Sequence, residues 1–281
     1  MDRNRVQQIG FAVLTLSAIA VVAPILIVIG IVLVQGAKAI SWEFIFSMPF
    51  DGMKQGGILP AIVGTLILTV GTAVAAIPVG VAGTIYLAEY AKDTLITRAI
   101  RLAIVNLAGI PSIVYGLFGL GMFVLFLDMG TSILAGVLTL AIMTLPVIIS
   151  TSEEALRAVP MEFRTVIASL GGTRWQAIRY IVLPEALPGI ITGIILGLLR
   201  AAGETAPILF TVAAFYLPRL PRSPFDQVMA LPYHLYVIST QVPGMPVSVQ
   251  YGTALVLLIL VLSMNVAATV LRSYFRRRRQ W

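Results

Sequence analysis

The chain has 281 residues, of which 59% are hydrophobic and only 11% are charged. A soluble domain carries about 25% charged residues, so the composition predicts an integral membrane protein and excludes nucleic acid as the reason for the net charge of +7. There is no cysteine, which excludes a disulfide framework and thiol chemistry.

Six segments reach the length of about 20 largely apolar residues that a membrane span requires. They lie at residues 9–34, 58–87, 99–127, 132–149, 186–217 and 251–271. The sequence therefore predicts an all-helical membrane protein with six transmembrane helices, in which residues 1–57 form an N-terminal anchor span and loop, 58–271 a core and 272–281 a basic tail. Pro78 and Pro111 are the expected bends of the second and third spans.

Basic residues are distributed unequally between the two sides of these spans. Fourteen of the nineteen Lys and Arg residues fall on one side, four fall on the other, and Arg200 falls within the membrane. Because cytoplasmic loops carry the excess of Lys and Arg, both termini are predicted to be cytoplasmic, and the arginines at 276–279 are expected to contact anionic lipid. The first apolar run exceeds the roughly 7–15 residues of a signal-peptide core, so it is expected to remain as an anchor.

The only long loop on the basic side, residues 150–184, has the pattern of short helices. Thr151 and Glu154 fit a capping box, which predicts that a short helix begins there and is interrupted just before Pro160. Pro160 is favoured in the first turn of a second helix, and the dipole of that helix favours Glu162 near its start.

The second helix of this loop has one apolar stripe. Gly171 is expected to end it, and a third helix is predicted from Arg174, with a stop before Pro184. A short amphipathic helix of this kind lies on the lipid interface or fills a groove in a partner protein, and the pattern alone favours neither. The stripe follows the i, i+3, i+4, i+7 spacing of one helix face and consists of Phe163, Val166, Ile167 and Leu170.

The fifth span carries two charges one helical turn apart, Arg200 and Glu204. A charge at the middle of a bilayer costs about 2.5–3.5 kcal/mol on insertion scales, so such residues indicate a pathway or a site more often than a structural ion pair. Gly203 is expected to let another backbone approach closely, and Pro207 removes a helical hydrogen bond. We interpret these residues as part of a polar route through the membrane.

The loop at residues 218–249, on the opposite side, contains six prolines, which exclude a further span. A connection of about thirty residues is long enough to suggest a docking surface, although a simple connector explains it equally well.

Several strings in the chain resemble the permease subunits of ABC importers. A glycine at 171 followed by Ile-x-Leu-Pro at 181–184 is similar to the coupling-loop motif of that family. The strings Arg-Ala-Ala-Gly-Glu-Thr-Ala-Pro at 200–207, Gly-Ile-Pro-Ser at 109–112 and Tyr-Leu-Ala-Glu-Tyr at 86–90 resemble the phosphate-specific branch, and within that branch the A-type subunit.

The resemblance implies a type I importer bundle in a prokaryotic inner membrane, with a coupling helix that docks on an ATPase. Its partners would be a homologous C-type permease, two ATP-binding subunits and an external phosphate-binding protein. The implied translocation residues are Arg200, Gly203, Glu204, Thr205 and Pro207, with Arg200 meeting phosphate and Glu204 pairing with arginine when the path is empty. The implied coupling residues are Pro160, Glu162, Phe163, Arg164, Val166, Ile167, Leu170 and Gly171.

The chain departs from the family pattern at two places. Thr165-Val166-Ile167 stands where the coupling motif usually has Glu-Ala-Ala, so the carboxylate that often begins this motif is missing. Ser150 stands where phosphate members often have arginine, which leaves Arg200 as the one mid-membrane cation of the six predicted spans.

The remaining alternatives are other transporters rather than enzymes. The chain contains no Gly-x-x-x-x-Gly-Lys-Ser/Thr string, so no cofactor is expected and ATP must be bound by another polypeptide. One histidine without cysteine excludes the common zinc patterns. A permease for molybdate or sulfate, or an ion-coupled secondary transporter with Arg200 and Glu204 as a relay, stays open. The docking helix favours an ATP-driven importer over a secondary transporter.

Overall fold

The structure, a computed structural model, describes residues 3–169 and 171–277. The described residues form helices α1 (Arg3–Gly36), α2 (Trp42–Phe46), α3 (Leu59–Ile85), α4 (Leu95–Ala108), α5 (Ser112–Gly119), α6 (Ile133–Arg157), α7 (Met161–Ser169), α8 (Arg174–Ala177), α9 (Leu183–Gly203), α10 (Ala206–Thr211), α11 (Leu231–Thr240) and α12 (Val247–Arg277). Wider π-helical turns follow α3, α5 and α8 at Tyr86–Tyr90, Leu120–Phe126 and Ile178–Val182. A 3-10 turn follows α1 at Ala37–Ala39, and a two-stranded antiparallel hairpin pairs β1 (Pro49–Phe50) with β2 (Gln55–Gly56).

Five stretches are long and apolar enough to cross a membrane, and the pair α4 and α5 is a sixth candidate that is bent by 105°. The two ends of the bundle show that this pair crosses once. The C-terminal ends of α3 and α6 meet at the end that carries Arg101, Arg157 and Arg164, called the basic end below. Helix α6 begins at the opposite end, where the N–H of Ile133 donates to the Asp226 carbonyl. The predicted all-helical fold with six spans is therefore confirmed.

The third span is broken rather than tilted. Helix α4 ends at Ala108, and Pro111 precedes the first residue of α5 in an extended conformation (φ −57°, ψ 138°). Proline restrains the residue before it from the helical region, which explains a break at this point. Pro78, in contrast, lies inside the continuous helix α3.

Two helix boundaries in the 150–184 loop were predicted wrongly. Helix α6 continues through Thr151 and Glu154 to Arg157, because its last turns pack on α9 and need no new start. Pro184 does not stop a helix either: it lies in the first turn of α9, directly after the π-helical turn Ile178–Val182. Proline is tolerated in a first turn, and the wider turn before it joins α8 and α9 into one membrane-crossing stretch, 174–203.

The core of the bundle is a close antiparallel contact between α6 and α9. Gly189, Gly193 and Gly197 form a ridge on α9 that faces Ala155, Thr151 and Ile148 of α6 in turn. A Cβ atom at Gly193 or Gly197 would lie 3.0 Å from a side-chain carbon of α6. The small residues therefore let the two helices approach closely inside this chain.

The loop at 218–249 contains no further span, as predicted, but it is more than a connector. Helix α11 is buried against the bundle, and the N–H of Leu231 donates to Thr65 Oγ1 of α3 at 2.8 Å. His234 is 2% exposed, and burial lowers its pKa to about 4. The imidazole is therefore neutral near pH 7 and adds no charge to this part of the bundle.

Candidate functional site

Arg200 and Glu204 lie where the fifth span is interrupted. Helix α9 ends at Gly203, and Glu204 leaves the helix in an extended conformation (φ −76°, ψ 138°). Arg200 is in the last turn, where the helix dipole favours a cation. Its Nε lies 3.3 Å from Glu204 Oε1, which confirms the predicted proximity of the two side chains.

The ion pair leaves much of the guanidinium uncompensated. The Arg200 side chain is 32% exposed and the Glu204 side chain 16%. Among the described residues, Arg200 has no hydrogen-bond acceptor other than Glu204. Since a single contact at 3.3 Å is weaker than a bidentate pair, the terminal nitrogens of Arg200 are available to a small anion.

The break after Glu204 is closely packed on one side and open on the other. Among the described residues outside its own helix, no atom lies within 4 Å of the position that a Cβ would take at Gly203, so the close backbone approach predicted there does not occur within this part of the chain. The close approach occurs at Gly116 of α5 instead, where a Cβ would lie 2.9 Å from the Ala206 carbonyl oxygen and 3.0 Å from Pro207 Cα. Thr205 precedes α10, and Pro207 lies in its first turn.

Glu204 also lines a small cavity between α3, α6, α9 and the start of α11. The other lining residues include Thr65 on α3 and Ala230 and Pro232 at the start of α11. Helix α11 thus reaches the same cavity as the half-buried carboxylate of Glu204. This connection between α11 and the break was not predicted, since nothing in the loop composition indicates where a short helix will pack.

The second predicted site, the helix after Pro160, is α7. One side of α7 packs against the bundle and the other side is exposed. Phe163 packs against a cluster of buried apolar residues formed by the ends of α6 and α9, and Ile167 contacts the position of Gly172. Met161 and Val166 are exposed to 70% and 52%. The exposed surface of α7 is completed by Glu162, Thr165 and Ser169.

The end of α7 agrees with the sequence pattern as far as it is described. Gly171 has a positive φ of 76°, the left-handed conformation in which glycine ends helices. Thr173 and Gln176 form the capping box that starts α8. Leu170, expected on the apolar stripe, lies outside the described residues.

Arg164 is directed into the bundle, where it contacts a carboxylate that had no predicted role. Its Nη2 lies 2.7 Å from Glu89 Oε1, and Nε donates to Oε2 at 3.4 Å. The same guanidinium donates to the carbonyls of Val159 at 2.6 Å and Leu156 at 2.9 Å. The signal for Glu89 in the sequence is a single acidic residue at the end of a long apolar run, which does not identify its partner.

A second group of charges lies nearby at the basic end. Glu153 Oε1 is 2.9 Å from Arg101 Nε and 2.8 Å from Arg157 Nη2, which joins α4 to α6. These three residues and Ser150 line an open cleft. Ser150 stands where the resemblance predicts an arginine. Arg101 therefore places a cation in the same cleft that Ser150 lines. Within residues 3–169 and 171–277, no group of three or more His, Cys, Asp or Glu side chains could hold a metal ion.

Comparisons with known proteins agree on a transporter family. Residues 80–281 match the model of the family described as binding-protein-dependent transport system inner membrane component. The probable ABC transporter permease protein YqgI of Bacillus subtilis is 34% identical over 95% of both chains. The phosphate transport system permease protein PstA 1 of Mycobacterium tuberculosis is 34% identical over 94% of this chain and 86% of its own. A probable phosphate transport system permease protein PstA from Methanocaldococcus jannaschii is 36% identical over 76% of this chain and 75% of its own.

The fold is shared with a solved importer structure. The MetNI methionine ABC transporter, solved in inward-facing conformations, contains a chain with a TM-score of 0.64 at 18% identity. The match covers 78% of this chain and 95% of that one. At this identity the likeness shows the bundle architecture alone.

Proposed function

The chain belongs to the family of binding-protein-dependent transport system inner membrane components, and from this premise we propose that it is the transmembrane permease subunit of an ATP-driven importer of inorganic phosphate. The observation that supports phosphate as the substrate is Arg200, an arginine at the break of a membrane span whose charge is only partly compensated by Glu204. A guanidinium presents paired donors that match two oxygens of a phosphate, and such charge-assisted contacts are about twice as strong as neutral ones.

Arg200 and Glu204 act as an exchangeable pair in this proposal. When no anion is present, Glu204 compensates part of the charge of Arg200 and lowers the cost of keeping it in the membrane. An arriving phosphate competes for the same donors, so Glu204 has to move away from Arg200. Gly203, Thr205 and Pro207 form the interrupted backbone at which this exchange takes place, because regular helix on both sides fixes the position of the break.

The energy for transport comes from other polypeptides. We place the ATPase contact at α7, through Pro160, Glu162, Val166 and the exposed Met161, with Phe163, Arg164, Ile167 and Gly171 holding α7 against the bundle. The complex comprises this chain, a homologous C-type permease, two ATP-binding subunits and an external phosphate-binding protein. The basic end then faces the cytoplasm of a prokaryotic cell, with both termini on that side of the inner membrane. The chain itself is not an enzyme.

Labelled-phosphate uptake tests this proposal in cells that lack their own permease. Wild-type protein is expected to restore uptake that stops when ATP is depleted. Arg200→Gln should lower uptake by roughly 100-fold at the same membrane level, since it removes a charge-assisted contact of about 3 kcal/mol. The matched control is Arg98→Gln, which removes an arginine of equal size from an ion pair with Asp93 that is about two-thirds exposed.

The possible results distinguish an error in the assigned substrate from an error in the role of Arg200. Normal phosphate uptake by Arg200→Gln would show that Arg200 does not bind the anion. If the wild-type complex assembles with its ATPase but imports sulfate or molybdate instead of phosphate, the substrate assignment is wrong while the role as an importer subunit holds. Loss of the complex in Arg200→Gln would assign Arg200 and Glu204 to a structural ion pair.

A further inference from the structure

We propose that Glu89 is a positioning residue for energy coupling: its ion pair with Arg164 fastens α7 to the end of α3, so that movement of α7 passes along α3 to the cavity of Glu204. This inference rests on the proposed function in one respect, namely that α7 meets an ATPase. It assigns a role to a residue for which neither the sequence pattern nor the proposed function provides one.

The burial of the pair makes it a rigid connection. The Glu89 side chain is 5% exposed and the Arg164 side chain 20%, and two of the nitrogens of Arg164 reach the two carboxylate oxygens. The pair formed by Asp93 and Arg98 has similar distances but is about two-thirds exposed. Water and salt weaken such an exposed pair, whereas a buried one cannot open without leaving a charge unpaired.

Arg164 joins three elements with one side chain. Besides Glu89, it donates to the carbonyls of Leu156 and Val159, which end α6 and begin the connection to α7. Phe163, its neighbour on α7, packs on the apolar cluster below the same connection. A displacement of α7 therefore acts on α3 and α6 together instead of being lost in the intervening loop.

The end of α3 is also held by two other arginines. Arg101 Nη2 donates to the Leu87 carbonyl at 2.6 Å, and the Arg174 guanidinium lies 5.4 Å from the centre of the Tyr90 ring. Leu87, Glu89 and Tyr90 all belong to the π-helical turn Tyr86–Tyr90. Helices α4, α7 and α8 thus contact one five-residue turn, and π-helical turns occur frequently at functional sites.

The other end of α3 reaches the proposed anion pathway. Gly64 contacts the Met229 carbonyl, and Thr65 accepts a hydrogen bond from Leu231 and lines the cavity that holds Glu204. Helix α3 is continuous over 27 residues, about 40 Å at 1.5 Å per residue. One helix therefore joins the docking region at the basic end to α11 and the break in α9.

The experiment measures phosphate transported per ATP hydrolysed by the complete complex, reconstituted in lipid vesicles with the binding protein. Glu89→Gln, Arg164→Gln and the double variant are compared with the wild type. We expect each single variant to lower the transport-to-hydrolysis ratio by about tenfold or more. The double variant should carry no unpaired buried charge, so it should keep a normal amount of ATPase subunit while its ratio stays low. The control pair Asp93→Asn and Arg98→Gln should keep the wild-type ratio.

Two results would overturn the inference. The first is a double variant with a wild-type ratio of transport to hydrolysis, which would show that the pair transmits nothing. The second is a double variant that loses the ATPase subunit, which would make the pair part of the fold rather than of coupling. If the wild-type complex fails to transport phosphate at all, the proposed function fails, and that result is distinct from both.

Discussion

The arginines of this chain differ in how their charge is compensated, and this difference separates their roles. Arg164 has a carboxylate and three backbone carbonyls as acceptors, which is the pattern of a residue that holds structure together. Arg98 has a carboxylate but is largely exposed, so it contributes little. Arg200 is half-buried, and within residues 3–169 and 171–277 its one ion-pair contact is to a single carboxylate oxygen. Of the three, it alone combines partial burial with donors left free for another anion.

The exposed residues of α7 lead to a prediction about ATPase docking. Met161→Asp and Val166→Asp should each weaken retention of the ATPase by roughly 10- to 100-fold, because a buried side chain of this size contributes about 1.5–3 kcal/mol. The measurement is the amount of ATPase that copurifies with the tagged permease. Leu95→Asp is the matched control, since Leu95 is an exposed apolar residue at the same end but not on α7.

Phe163→Asp provides a contrast to these variants. Phe163 contacts the bundle, so its replacement should lower the melting temperature of the permease itself, whereas Met161→Asp and Val166→Asp should leave that temperature unchanged. Equal copurification of the ATPase with Met161→Asp, Val166→Asp and wild type would place the docking surface elsewhere.

Periodicity predicted the apolar stripe of α7 but not what the stripe contacts. A bundle and a partner protein both require apolar residues at the same helical spacing, so Phe163 and Val166 look alike in the sequence. Arg200 and Glu204 could be singled out for the opposite reason, because a charge inside an apolar span is costly and a spacing of four residues predicts that the two side chains lie close together. That Glu204 lies just beyond the last residue of α9 was not predictable from this spacing. The pairing of Glu89 with Arg164 joins positions 75 residues apart, and no local pattern contains that information.

At the scale of helices, length and hydropathy predicted how many spans there are, while packing decided where several of them begin and end. Helix α6 extends past residue 149 because α9 continues beside it, and the stretch 174–203 passes Pro184 because the π-helical turn accommodates the proline. Local signals such as a capping box at Thr151 are weak beside such contacts, since a cap is worth about 1 kcal/mol. The glycine ridge on α9 is the contact that holds these two helices together.

The ridge predicts a compensating pair of substitutions. A Cβ at Gly189 would collide with the Cβ of Ala155, so Gly189→Ala should destabilise the permease by about 1–3 kcal/mol through overpacking. Adding Ala155→Gly moves the methyl group to the other helix and should restore most of the stability. Thermal unfolding in detergent measures both changes.

Gly30→Ala is the control for the ridge, because in the part of the chain that the structure describes no atom outside its own helix lies within 4 Å of a Cβ at Gly30, which is also helical. Alanine should be neutral or slightly stabilising there, since it is the better helix former. A Gly189→Ala permease as stable as wild type would mean that α6 and α9 separate more easily than the structure indicates.

At the scale of the whole molecule, basic residues and exposed apolar residues are distributed differently over the surface of the bundle. Basic side chains gather at one end of the bundle, whereas the outer helices α1 and α12 carry exposed apolar residues along their length, such as Leu14, Leu26 and Ile259. Lipid chains or the apolar helices of a second permease can contact such a surface without burying polar groups. Basic side chains at one end interact favourably with an anionic leaflet. Helix α3 connects the two ends through contacts at both. In the proposed function, this helix is the connection between the ATPase and the external side.

The absence of cysteine from the sequence allows this arrangement to be tested with single cysteines and a membrane-impermeant maleimide. In intact cells with the outer face accessible, Lys54→Cys, Thr131→Cys and Thr240→Cys should react, because these residues are exposed at the end opposite the basic one. Asp93→Cys and Trp175→Cys should react only after permeabilisation, and wild-type protein should never react. Thr131 is decisive for the bent pair α4 and α5. Protection of Thr131→Cys until permeabilisation would make that pair a re-entrant loop, reverse the side on which α6 begins and remove the predicted path from α7 to the external face.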